Sequence, residues 1–173
     1  MRDFFDSHLT TEAMAKYICG SVGIPSSSMV LFVDENLPLQ ADYMSALTAI
    51  GLKGILGPRC GAYFPVEYLY QDYQGDTESP YGKAFCYTKT LDPSLRSQSE
   101  REHVHTSPTS RIPQGFDYVI TGTAARNPRL TKLILDVYPP EKVVLIHGED
   151  AAPAPVATRE LTATGANVFI RPI

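Results

Sequence analysis

A chain of 173 residues, 43% hydrophobic and 20% charged, has the length of one domain and enough apolar content to bury a core, which excludes a disordered protein. Its 15 basic and 19 acidic residues leave a formal net charge of −4, so no global attraction to nucleic acid or an anionic membrane is expected. Cys19, Cys60 and Cys86 are dispersed and form no C-x-x-C pair, which argues against a disulfide framework or zinc ribbon and for a reducing, cytoplasmic setting.

The opening "MRDFFDSHLTTEAMAKYICG" carries acids and lacks the apolar centre of a secretory signal, so no export is expected. Nowhere do about 18 apolar residues run together, so no membrane span is expected either. "MVLFV", residues 29–33, is a β-branched and aromatic run between "PSSS" and "DEN", as a strand buried on both faces would be. Over residues 37–50 the apolar positions Leu39, Tyr43, Leu47 and Ile50 predict a helix that stops at Gly51. "KGILG", residues 53–57, is then the next strand, and the three elements form a βαβ unit.

Residues 58–115 read as an irregular insertion in a single α/β domain spanning 1–173. Tyr63, Tyr68, Tyr70, Tyr73, Tyr81 and Tyr87 fall here, with one predicted strand, "GKAFCYT", and a polar tract over 93–115. The tyrosines suit packing better than stacking on bases, since no basic stripe accompanies them. His103 and His105 of "HVH" share one side of an extended segment but have no third ligand at metal spacing, so no metal site is assigned.

The βα grammar returns after the insertion. "FDYVITGT" (116–123) is a strand, and residues 126–138 are a helix with Leu130, Leu133, Ile134 and Val137 on one face, ended by Pro139 and Pro140. "KVVLIHG" (142–148) is a strand, 155–164 a helix closed by Gly165, and "NVFIRPI" (167–173) the last strand. Unbroken apolar strands alternating with helices predict a mainly parallel, Rossmann-like α/β sheet with helices on both faces.

In such sheets ligands bind beyond the carboxyl ends of the strands. That rule selects Asp34 and Glu35 after the first strand, Thr121, Gly122, Thr123 and Arg126 around the end of "YVITGT", and His147, Gly148, Glu149 and Asp150 after "VVLI". As catalytic candidates, His147, Glu149 and Asp150 offer a base or acid. Asp34, Glu35, Thr121, Gly122, Thr123, Arg126 and Gly148 are the ligand-binding candidates, with Arg126 steadying a phosphate. Acids after a strand also cap helices, and a lone histidine is commonly a packed one. No G-x-x-x-x-G-K-[ST], G-x-G-x-x-G or G-x-S-x-G motif is present.

"YLYQDY", "SPYGKAFCYTKTLDP", "FDYVITGT", "YPPEKVVLIHGED" and "GANVFIRPI" together resemble the N-terminal domain of glycosyltransferase-like proteins of the CgeB spore-maturation type. The resemblance covers most of residues 68–173, with Pro172 where relatives carry a glutamate. It implies one Rossmann-like half of a GT-B architecture that binds a nucleotide, nucleotide sugar or sugar acceptor, with a nucleotide sugar as donor substrate. A second half or a protein partner, or self-association, would complete a catalytic cleft.

"VLFVDEN" and "TGANVFIRPI" also resemble the acidic first turn and the basic-Pro ending of response-regulator receiver domains. Alignment puts Gly122 at the phosphoacceptor aspartate. The alternative reading is therefore a noncatalytic receiver-like interaction or signalling module.

Overall fold

The computed structural model describes residues 10–39, 42–76, 87–102, 112–148 and 155–170. Five strands, β1 (Val30–Val33), β2 (Cys60–Ala62), β3 (Tyr118–Thr123), β4 (Val143–His147) and β5 (Asn167–Ile170), form one sheet in the order β2-β1-β3-β4-β5. Every neighbouring pair is parallel. Helices α1 (Thr11–Val22) and α2 (Tyr43–Leu56) cover one face, and α4 (Pro128–Leu135) and α5 (Pro155–Ala163) the other; a short α3 (Gln98–Glu102) precedes β3. This is the Rossmann-like α/β class that the sequence predicts.

Successive strand residues point to opposite faces, and both faces are covered, so β1, β3 and β4 are buried at every position. Val30, Phe32, Tyr118, Ile120, Val144 and Ile146 pack under α1 and α2. Leu31, Val33, Val119, Val143 and Leu145 pack under α4 and α5. No helix among the described residues is long and apolar enough to cross a membrane.

Several predicted boundaries move. The helix expected over 37–50 begins at Tyr43, where the Asp42 side chain accepts the Ser45 N–H at 2.9 Å, and it runs through Gly51 to Leu56. "KGILG" is thus the last turn of α2, and β2 follows it at Cys60–Ala62, inside the stretch that looks irregular in sequence. Gly51 does not end the helix because it serves a contact: a Cβ there would stand 2.1 Å from the Thr11 carbonyl oxygen at the start of α1. Ala46, Ala49, Leu52 and Leu56 form the buried face, while Leu39 lies outside the helix and is 84% exposed.

The helix expected over 126–138 is shorter, Pro128–Leu135, after a 3-10 turn at Ala124–Arg126. The predicted "GKAFCYT" strand lies mostly outside the described residues, with Tyr87 and Thr88 in a turn. Cys86, His103 and His105 also lie outside them. Helix α1, for which no expectation was drawn, has an N-cap Thr10 whose Oγ1 accepts the Ala13 N–H at 3.1 Å and a left-handed Gly23 at its end.

The β2–β3 connection is clamped to the domain by a buried ion pair. Lys53 of α2 bonds Glu100 and donates to the Cys60 carbonyl at 2.6 Å and the Leu95 carbonyl at 3.2 Å. Glu100 also accepts from the Tyr70 hydroxyl at 2.8 Å and from the Ser97 N–H and hydroxyl at 2.9 and 2.7 Å. With both charges fully partnered, the pair selects one packing of the connection rather than adding much net stability. Arg96 lies 3.9 Å over the Tyr70 ring and pairs with Asp72 and Glu67. Tyr63, Tyr68 and Tyr70 are buried, as packing residues should be.

Candidate functional site

After β1 the chain moves to one side to form β2, then returns to the other side as β3. The strand order therefore reverses between β1 and β3, and in doubly wound sheets the loops beyond the carboxyl ends at such a reversal form the ligand crevice.

Asp34, the first residue beyond β1, is buried and organises the crevice. Its Oδ1 accepts the Asn36 N–H at 3.0 Å, the Leu37 N–H at 3.3 Å and the Asn127 side-chain amide at 3.3 Å. Asn127 ties the two loops: its amide also donates to the Thr123 carbonyl at 3.0 Å, and its Oδ1 accepts the Glu35 N–H at 3.2 Å and the Asn36 side-chain amide at 3.3 Å. The β1–α2 loop is braced from below as well, since the Tyr68 hydroxyl donates to the Leu37 carbonyl at 3.1 Å. Burial, reinforced by the negative charges of Asp34 and Asp42, pushes that phenol well above the ordinary tyrosine range, so it remains a donor.

The other wall is built on a bulge in β3 at Thr121–Thr123. Gly122 faces Asp34 and Ser45 so closely that no side chain fits there. The Thr123 N–H donates to Ser45 Oγ at 3.0 Å, and its hydroxyl donates to Asp42 Oδ2 at 3.2 Å. Asp42 also pairs with Arg126 at 3.0 Å. The guanidinium side chain is 39% exposed, so a cation lies at the crevice mouth.

Neither a family model, nor a curated protein, nor a solved structure matches the chain.

Of the residues that the sequence selects, Asp34, Gly122, Thr123 and Arg126 converge on this crevice, and Glu35 joins it through its backbone. Thr121 stays inside the sheet, its hydroxyl 3.4 Å from the Val144 carbonyl. Gly148 contributes a carbonyl 3.4 Å from the Thr123 hydroxyl. His147 is buried at the end of β4, and strand alternation puts it with Val143 and Leu145, on the face opposite Asp34. Glu149 and Asp150 lie outside the described residues.

Sequence reasoning passed over Asp42, Ser45, Tyr68 and Asn127. An acid three positions before a serine at a helix start is a readable cap signal for the first two. Tyr68 and Asn127 leave no such trace, because their partners are distant in the chain.

Two acids of the described crevice are engaged: Asp34 holds its own loop, and Asp42 caps α2 while accepting from Thr123 and Arg126; Glu35 is half-buried on the β1–α2 loop and joins through its backbone N–H. What they build is a fixed polar frame in which Ser45, Thr123 and Asn127 are buried and the Arg126 guanidinium is partly exposed, a group that recognises phosphate oxygens.

Proposed function

We propose that the chain is a glycosyltransferase-like binding domain whose crevice between β1 and β3 takes a nucleotide or nucleotide sugar. One observation supports it most: at the point of strand-order reversal, Asp34, Asp42, Ser45, Thr123 and Asn127 are locked into one hydrogen-bonded frame with Arg126 at its mouth. In this reading Arg126 meets a phosphate and the Thr123–Asn127 loop meets ribose or sugar hydroxyls. Such preorganised polar groups bind at little cost of reordering. The engaged acids fit a domain that grips a donor or acceptor while a second half or partner supplies the chemistry.

The test is a thermal-shift panel of nucleotides, nucleotide sugars and sugar phosphates. A ligand that binds the native state raises the melting temperature with concentration, by about 2.7 kcal/mol of stabilisation at a hundredfold excess over Kd. The expected result is a rise with one nucleotide class that Arg126→Ala abolishes. No rise across the panel would overturn the reading and favour the noncatalytic interaction module, which the engagement of Asp34 and Asp42 also suits.

A further inference from the structure

On one face of the sheet α1 and α2 pack directly together, with Gly51 against the backbone of Thr11. On the other face α4 and α5 stand apart, and a groove of about 400 Å3 runs between them. Pro128 and Leu135 of α4 form one wall, and Ala157 and Leu161 of α5 the other. Seven and four residues apart, these pairs fall on single helix faces, the arrangement by which one helix seats another. Beside the groove α5 carries an exposed ridge of Val156, Arg159 and Ala163, spaced three and four residues apart, with Val156 65% exposed.

The charges of this surface balance. Lys132 and Asp136 border the groove from the side of α4, Glu160 borders it from α5, and Arg159 stands on the ridge. All four are exposed, and none makes an ion pair or a side-chain hydrogen bond among the described residues. A patch that holds apolar ridge and apolar groove side by side, with unpaired charges of both signs, is complementary to itself under a two-fold rotation.

We infer that this face is the interface of a symmetric dimer, in which the α5 ridge of each copy lies in the groove between α4 and α5 of the other. Val156 then leaves water for the apolar walls, and Arg159 of one copy stands opposite Asp136 of the other. A groove of this volume also has the size of a small-ligand site, but a small molecule would use the groove alone. A second copy uses the groove, the exposed Val156 and the unpaired charges together. The inference is independent of the nucleotide reading of the crevice, whose test is ligand binding rather than mass.

The experiment is sedimentation velocity of the full chain from about 5 to about 500 µM, with Val156→Arg, Arg159→Glu and the double variant Arg159→Glu, Asp136→Arg. Val156 and Arg159 are exposed, so both single variants should keep the native far-UV circular dichroism. The expected result is a concentration-dependent dimer of the native chain that each single variant weakens at least about tenfold, since every change is present twice across a two-fold axis. Adding Asp136→Arg to Arg159→Glu should restore the dimer by exchanging the signs of the pair. A monomer over the whole range overturns the inference and leaves the groove to a small ligand. A dimer indifferent to Val156→Arg and Arg159→Glu overturns it as well, because the contact then lies elsewhere.

Discussion

The Asp34 carboxylate occupies the space that a side chain at Gly122 would need: a Cβ there would stand 2.2 Å from Asp34 Oδ2 and 2.5 Å from Ser45 Oγ. Asp34 cannot swing aside cheaply, because its other oxygen holds three donors. Gly122→Ala should therefore cost about 1–3 kcal/mol in urea denaturation, as overpacking does, and weaken any ligand that the crevice binds. Stability equal to that of the native chain would mean that the two walls are not in contact. The same geometry bears on the receiver-like resemblance, since an aspartate at position 122 would collide with Asp34 rather than stand beside it.

Lys53 and Glu100 should behave as a coupled unit. Removing the cation alone by Lys53→Met leaves a buried carboxylate without its counter-ion, at an expected cost of about 3–5 kcal/mol. In a double-mutant cycle with Glu100→Gln, the double variant should be more stable than the sum of the singles predicts by more than about 1 kcal/mol. Additive effects would show that the pair does not couple.

Two glycines of α2 should respond in opposite directions to alanine. Gly51→Ala gains helix propensity of about 1 kcal/mol but drives a methyl into the backbone of Thr11, so a net loss of stability is expected. At Gly54 the nearest atom to an added Cβ is the mobile Glu12 Oε1 at 3.0 Å, which can move away, so Gly54→Ala should stabilise by up to about 1 kcal/mol. Thermal melts of the two single variants distinguish the cases, and a stabilised Gly51→Ala would refute the close approach of α1 to α2.

Alkaline pH should loosen the fold through Cys60. Burial pushes its thiol up from 9.0 to about 12, with Lys53 opposing that shift and Glu100 adding to it. Because the folded-state value is the raised one, the contribution is complete below pH 9.0 and is lost as pH rises toward about 12. Within that window Cys60 steepens the fall of unfolding free energy by up to about 1.4 kcal/mol per pH unit. Burial raises Tyr68 and Tyr70 in the same direction. Denaturation curves at pH about 8 and about 10.5 should diverge less for Cys60→Ala than for the native chain. An equal divergence would show that Cys60 does not titrate with unfolding.

The candidate site was half legible. Asp34, Gly122, Thr123 and Arg126 follow from a general rule about strand ends, which needs nothing beyond knowing where strands stop. Asn127, the residue that joins the loops, contacts Asp34 from 93 positions away, and no local pattern marks such a partner. His147 looked like one more rim residue beside Glu149 and Asp150, but the side on which a strand-end residue points depends on which neighbours cover it.

The sequence by itself determined the α/β class and the positions of β1, β3, β4 and α5, because each is written in local terms: an apolar run closed by turn formers, or a helix closed by a glycine such as Gly165 with its φ of 76°. The tertiary structure decided where α2 ends, since Gly51 reads as a helix stop until α1 is seen packed against it. It also decided the reversal between β1 and β3 that brings Asp34 against Gly122. Strand order is set by which faces and edges bury one another across the whole chain, a long-range choice that the periodicity of any one segment does not carry.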